Sequence, residues 1–240
     1  MSFGLGHGRT LDDAPGVIGI GGDELPPLPD EALTNPRAGW LDPRAWFQSP
    51  ERPFEIEIGS GKGAFLLQQG EAQPSTNILG IEWAGEFYAY TADRVRRRGL
   101  TNVRVLNADA TEFLRWRVPS GIVRTVHLYF SDPWPKKRHH KKRVVRDEVL
   151  AQLHRVLEPG GEVRIVTDHD DYWVWMEAHF DRWCGHGPVE HFAGSLPAFE
   201  RLDFTRPESA GEGEVVGTNF ERKYAREGRP FHATVLKRVP

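Results

Sequence analysis

One cysteine, Cys184, and two methionines are the only sulfur side chains in 240 residues. A lone thiol excludes an internal disulfide, so a reducing compartment, the cytosol, is the natural expectation. No apolar run approaches the roughly 20 residues that crossing a bilayer requires. Residues 1–25 lack the basic head and sustained apolar stretch of a signal peptide. Neither a membrane nor an obligate protein partner is expected. The histidines show no metal-ligand spacing with the cysteine, so no structural zinc is expected either. Strong charge of one sign is also lacking: the net charge is −3, which argues against a generally basic nucleic-acid binder. The distribution is uneven, however. Residues 1–50 carry seven Asp or Glu against three Lys or Arg, and the remainder carries 27 acidic against 28 basic residues. Cations cluster at 94–98, 136–146 and 222–238. Local patches of this kind, not total charge, set where a polyanion docks.

Residues 1–50 are rich in Gly, Pro and acids and show neither helical nor strand period. They read as an N-terminal extension, poorly ordered at least through residue 35, ahead of one domain over residues 51–240. From Phe54 onward, apolar strand-like runs at 54–58, 77–83, 103–106, 124–130 and 162–167 alternate with helix-compatible stretches at 62–70, 85–98, 144–157 and 170–184. Alternation with short connections predicts a doubly wound α/β fold, a mostly parallel sheet with helices on both faces. Residues 185–217 are rich in turn-formers, and a last strand is expected from His232 to Val239. Ligands of such sheets sit at the carboxyl ends of the strands.

The first strand runs into Glu57-Ile58-Gly59-Ser60-Gly61-Lys62-Gly63. A phosphate-binding P-loop fails here, because Ile56 replaces its first glycine and Gly63 its Ser or Thr. A dinucleotide fingerprint does fit, as Gly59, Gly61 and Ala64 with Glu82 further on, and keeps an NAD(P)-dependent oxidoreductase open as an alternative. Glu57 weighs against it: a carboxylate beside the glycine turn repels a pyrophosphate but suits a ligand that presents an ammonium and a sulfonium. S-adenosylmethionine is such a ligand. Glu82 ends the second strand and can accept both ribose hydroxyls. Asp109, followed by Ala110, can accept from the adenine amino group, although capping a helix is an equally good use of it. Asp132 follows the fourth strand and Asp168 the fifth. Acids after five successive strands repel one another unless a cationic or donor-rich ligand sits among them.

Asp132 also opens the most distinctive stretch, Asp132-Pro133-Trp134-Pro135 followed by six Lys or Arg in the eight positions 136–143. A carboxylate can grip the N–H edge of a base, an indole can wall in a ring, and a cationic run holds phosphates. A charge run alone is usually a solvated face, and Trp134 alone is more simply a packing residue. The combination points to chemistry on a base within a nucleic acid.

The segments Glu57 to Gly63, Gly80-Ile81-Glu82, Asn107 to Ala110, Val156 to Gly161 and Val163 to Thr167 resemble the ordered motifs of class I S-adenosylmethionine-dependent methyltransferases. Ser131 to Lys136 with the following Arg-His-His-Lys-Lys-Arg, then Thr167-Asp168, then Thr218-Asn219-Phe220-Glu221, resemble the narrower bacterial tRNA (guanine-N7-)-methyltransferase family. The resemblance runs from about residue 50 to the C-terminus and implies a Rossmann-like, seven-stranded sheet. It implies S-adenosylmethionine contacts from Glu57, Gly59, Gly61, Glu82, Asp109, Ala110 and Asp132, and a catalytic or substrate-orienting role for Asp132. It implies tRNA contacts from Lys136, Arg138, His139, His140, Lys141, Lys142, Arg143, Asp168 and Thr218 to Glu221, with N7 of a variable-loop guanosine, position 46 in tRNA numbering, as the methyl acceptor.

Thr218-x-x-Glu221 is also a capping box opening a short helix through Arg226, and 94–98 reads equally as the charged end of an exposed helix. A non-catalytic RNA-binding protein on the same fold is a further alternative. So is methylation of an exocyclic amine, because the Asp-Pro-Trp segment distantly resembles the (Asp/Asn)-Pro-Pro-aromatic motif of amino-group enzymes.

Overall fold

The computed structural model describes residue 5, residues 10–185, residue 189 and residues 192–240. Its centre is an eight-stranded sheet: β1 (Gly19–Gly21), β2 (Phe54–Ile58), β3 (Asn77–Glu82), β4 (Val103–Asn107), β5 (Val123–Tyr129), β6 (Leu157–Thr167), β7 (Phe199–Leu202) and β8 (His232–Arg238). The spatial order is β1-β4-β3-β2-β5-β6-β8-β7. The pairings from β1 through β6 are parallel, and β8 and β7 close the sheet as antiparallel strands.

Residue alternation along the strands assigns the two faces. Ile78, Val103 and Val105 join Leu66 and Leu67 of α1 (Ala64–Ala72) and Ala92 and Val95 of α2 (Gly85–Arg97). Leu79, Ile81 and Leu106 face the other way, into a larger core. That core takes Phe113 of α3 (Ala110–Trp116), Leu150 and Leu153 of α4 (Asp147–Val156), and Met176 and Phe180 of α5 (Asp170–Trp183). Helices therefore cover both faces of a mostly parallel sheet, as the alternating pattern predicts. A sixth helix, α6 (Asn219–Arg226), precedes β8. No helix among the described residues is long and apolar enough to cross a membrane.

The expected seven strands are eight because Gly19–Gly21 pairs with Val105 to Asn107 at the edge of the sheet. Residues 22–46 continue as four single turns of 3-10 helix. Arginines from later in the chain pin this segment: Arg117 donates to the Pro26 carbonyl (2.7 Å), Arg104 donates to the Trp46 carbonyl (2.9 Å), and Arg155 lies 5.2 Å over the Trp40 ring. Order here comes from distant side chains, which a search for local period does not register. The expectation for residues 1–4 and 6–9 lies outside the described residues, as does that for 186–188, 190 and 191. β6 begins five residues earlier than the sequence suggests: Leu157 pairs with Val123, and the register shifts between Val123 and Thr125 before the ladder resumes at Glu162.

Strand order reverses between β2 and β5, which places the crevice of the sheet between their carboxyl ends. Register aligns Glu57 with Gly80, Glu82 with Asn107, and Tyr129 with Val166, so the five strand ends share one rim. Replacing Arg117 with Ala removes a charged donor from a solvent-exposed backbone carbonyl, a loss of about 0.5–1.5 kcal/mol. Urea unfolding should show that drop, and limited proteolysis should cut faster within residues 22–40; unchanged cleavage there would contradict the pinning.

Candidate active site at the strand ends

β2 buries two carboxylates on one face, Glu55 and Glu57, at 3% and 4% exposure. They meet opposite fates. Glu55 accepts from Arg124, from Gln69 Nε2 (3.2 Å) and pairs with His127 Nε2 (2.9 Å), whose other ring nitrogen meets the Tyr129 hydroxyl at 2.8 Å. Burial raises the Glu55 carboxyl, but His127 and Arg124 outweigh it and hold the group at about 2. Glu57 stands one pleat closer to the rim, and its Oε2 has no partner among the described residues. Burial pushes it up to about 8, and the charge of Glu82 adds to the rise. A buried acid left this way is held neutral until a cation or donor reaches it.

The glycine turn wraps the same spot. Gly59, Gly61 and Gly63 adopt φ of +75°, +53° and +67°, a region side-chain-bearing residues rarely enter. A Cβ at Gly59 or Gly61 would meet nothing within 4 Å, so those two leave open space beside the backbone; at Gly63 it would stand 2.4 Å from Thr91 Cγ2, where α2 packs against the turn. Glu82 stitches the turn to β3: Gly61 N donates to its Oε2 (2.8 Å) and Ala84 N to its Oε1 (2.9 Å). Each oxygen keeps a second lone pair for a ligand hydroxyl. Ser60 Oγ is buried and unpartnered among the described residues. Asp109 caps α3, with Oδ1 accepting from Thr111 N (2.8 Å), Thr111 Oγ1 (2.7 Å) and Glu112 N (3.2 Å). A cavity of about 210 Å3 opens beside it, walled partly by Leu25 and Leu28 of the N-terminal segment. Ala110 is the first residue of α3.

After β5 the chain turns sharply. Phe130 and Trp134 have φ of +53° and +44°, conformations that cost about 1–3 kcal/mol each for residues with a Cβ and that cluster at working sites. Between them Asp132 is exposed, and its Oδ1 accepts from Trp134 N at 3.0 Å. The basic run continues as a 3-10 segment, Lys137–Lys142. Lys136, Lys137, Arg138, Lys141 and Lys142 are exposed, and Lys142 lies 4.6 Å over the Trp134 ring, which His139 meets edge-on at 5.6 Å. His140 packs edge-on against Trp175 (5.4 Å).

Three expectations change here. Arg143 is not part of the exposed run: it is 1% exposed and bonded inward, because two aromatic rings and two acceptors surround it. Glu221 is buried too. Thr218 Oγ1 accepts from Glu221 N (3.0 Å) as a cap should, but the Glu221 carboxylate reaches past the cap to accept from Val215 N, Val216 N (2.9 Å) and Gly217 N (2.7 Å). It fastens a loop, while Asn219 and the half-exposed Phe220 face outward. Asp168 reaches the rim already paired with Arg229 (3.0 Å), which also lies 4.4 Å over Tyr224.

The cationic cluster at 94–98 is spent internally. Arg94 donates to the Lys62 carbonyl, Arg96 and Arg97 pair with Asp93 (2.9 Å each), and Arg98 pairs with Glu71 (2.6 Å). Trp83, 74% exposed beside Glu82, and the Glu55–His127–Tyr129 network are not among the residues expected from the sequence. Charged residues at alternate positions of an otherwise apolar strand were the available signal for the latter.

The donor set of the rim, acidic and rich in acceptors around an open glycine turn, fits a ligand carrying positive charge and hydroxyls. Glu57, Glu82 and Asp109 could hold one. The fold is similar to that of the 16S rRNA methyltransferase KamB (TM-score 0.53, 15% identity, 90% of this chain and 96% of that one) and of the aminoglycoside resistance methyltransferase NpmB1 (0.51, 20%, 92% and 98%). Sheet order, glycine turn and strand-end acids together define a class I S-adenosylmethionine-dependent methyltransferase. The family model described as "Putative methyltransferase" matches residues 51–232. The chain is 35% identical over 218 residues to a tRNA (guanine-N(7)-)-methyltransferase of Bifidobacterium longum subsp. infantis (84% of this chain, 73% of the relative). It is 37% identical over 185 residues to that of Agrobacterium fabrum (77% and 74%) and 37% over 203 residues to that of Nitrobacter hamburgensis (84% and 74%). The chain belongs to the tRNA (guanine-N(7)-)-methyltransferase family.

The neutral Glu57 sets a pH dependence. Its value rises from 4.5 to about 8 on folding, so its contribution to stability is complete below 4.5 and is lost as pH rises through 8. Across that window the folded protein holds one more proton than the unfolded chain at this site, a slope of about 1.4 kcal/mol per pH unit. Glu57→Gln should flatten the fall of ligand-free stability, measured by urea unfolding at several pH values. An unchanged slope would mean that Glu57 is ionised in the free protein.

Proposed function

We propose that this protein transfers the methyl group of S-adenosylmethionine to N7 of a guanosine in tRNA, at variable-loop position 46, yielding 7-methylguanosine. The observation that carries the reading is the placement of Asp132: an exposed carboxylate on a strained loop at the rim, followed in the chain by five exposed cations. We take residues 51–240 as the catalytic domain, residues 1–50 as an extension applied to its edge, and the cytoplasm as the place of action.

S-adenosylmethionine supplies an electrophilic methyl group. Glu57 receives its cationic end, Glu82 its ribose hydroxyls and Asp109, through the oxygen not used in capping, its adenine amino group. Guanine N7 is a neutral sp2 nitrogen with a free lone pair, so no group has to remove a proton before it attacks. The protein's work is alignment and charge. Alignment of bound reactants contributes several orders of magnitude in rate. Asp132 accepts from the N–H edge of guanine and faces the positive charge that builds on the ring. Lys136, Lys137, Arg138, Lys141 and Lys142 hold tRNA phosphates, and the exposed Asn219 and Phe220 are further tRNA contacts. Arg94 to Arg98, already paired, are left out of this surface.

Incubation with methyl-labelled S-adenosylmethionine and unmodified tRNA, followed by nucleoside mass spectrometry, should place the label in 7-methylguanosine. Label in another nucleoside would keep the methyltransferase and reject the acceptor atom. Asp132→Asn should lower turnover by about 100-fold or more while leaving cofactor and tRNA affinity near wild type; near-normal turnover would sink the role given to Asp132. Lys141→Ala should weaken tRNA binding and reduce the slope of log affinity against log salt by about 0.7–1, the loss of one phosphate contact.

A further inference from the structure

The peptide unit between Pro133 and Trp134 is gripped at both ends. Its N–H donates to Asp132 Oδ1 (3.0 Å), and its carbonyl accepts from Arg143 Nε (2.8 Å). One peptide plane therefore couples the buried guanidinium to the rim carboxylate. Arg143 is itself fixed from every side. Its Nη2 donates to Asp171 Oδ2 (2.8 Å), and its guanidinium carbon lies 5.0 Å from the Tyr172 ring and 5.1 Å from the Trp175 ring. Those rings belong to α5 and hold the next stretch of chain as well: the Tyr172 hydroxyl accepts from Val145 N (3.2 Å), and Trp175 Nε1 donates to the Val145 carbonyl (2.7 Å). Trp134 needs such a grip, because its left-handed φ would relax in a free loop.

We propose that Arg143 is a positioning residue for methyl transfer: it sets the orientation of Asp132 through the Pro133–Trp134 peptide and touches neither tRNA nor cofactor. The proposal rests on the role given to Asp132 above. It divides the basic run by function, with the exposed cations binding phosphate and the last one serving the carboxylate. A planar guanidinium bonded through two nitrogens and lying against two aromatic rings has no substitute in lysine, whose ammonium is a single point of charge.

The test measures kcat, KM for tRNA, and tRNA affinity against salt in the full chain carrying Arg143→Lys, Asp171→Asn, or Arg143→Lys together with Asp132→Asn. Arg143→Lys should lower kcat about 10- to 100-fold, the size expected for a small misplacement of a working group, with KM and the salt slope unchanged. Asp171→Asn, which removes the negative charge from an exposed partner of the guanidinium, should show the same split with a smaller loss. In the Asp132→Asn background Arg143→Lys should cost nothing further, because its effect passes through that carboxylate. A salt slope reduced by about one in Arg143→Lys would make Arg143 a phosphate contact and overturn the proposal. An equal kcat loss with and without Asp132 would overturn it as well. If Arg143→Lys fails to fold, Asp171→Asn decides: a kcat loss at unchanged KM supports the brace, and wild-type kinetics rejects it. Normal turnover of Asp132→Asn alone would reject the role of Asp132, and the brace with it.

Discussion

A carboxylate taken out of water must be paired or neutral, and β2 carries two within three residues. Glu55 is paired by His127, Arg124 and Gln69 and serves the sheet. Glu57, one pleat on, has an Oε2 with no partner among the described residues, and burial beside the glycine turn holds it neutral. The difference marks where scaffold ends and site begins. Folding a residue in this state costs stability, and the geometry around it is arranged to keep the position open: glycines with vacant space beside them, and a turn tied back by Glu82 and not by Glu57. A ligand bringing positive charge to that spot converts the cost into binding free energy.

The Asp132 side of the rim follows another logic. Asp132 is exposed and needs orientation, not neutralisation. Its loop stores strain at Phe130 and Trp134, and α5 supplies Asp171, Tyr172 and Trp175 to hold it through Arg143. The two halves of the site thus draw on different resources, burial on the β2 side and bracing from a helix on the β5 side. The parallel register across β2, β5 and β6 brings them to one crevice.

Much of this was legible in the sequence because the signals were local. Apolar runs followed closely by Glu82, Asp109, Asp132 and Asp168 are the strands β3, β4, β5 and β6, and the glycine turn lies directly after β2. What escaped depends on partners far away in the chain. β1 has three residues, two of them glycine, and is held by pairing to β4, so no period announces it. Arg143 looks like its five exposed neighbours until Tyr172 and Trp175, some thirty residues on, close around it. Glu221 fitted a capping box by spacing, yet its carboxylate found three backbone donors ahead of the cap. Arg96 to Arg98 formed a basic cluster on paper and ion pairs in space.

The central claim is that Glu57 is reserved, uncharged, for the cationic end of the cofactor. Calorimetric titration of S-adenosylmethionine into the free enzyme at about pH 6.5, repeated in buffers of different ionisation enthalpy, reads the protons exchanged on binding. The account predicts release of about one proton per cofactor bound, and its disappearance in Glu57→Gln. Binding without proton release, or release that persists in Glu57→Gln, would contradict it.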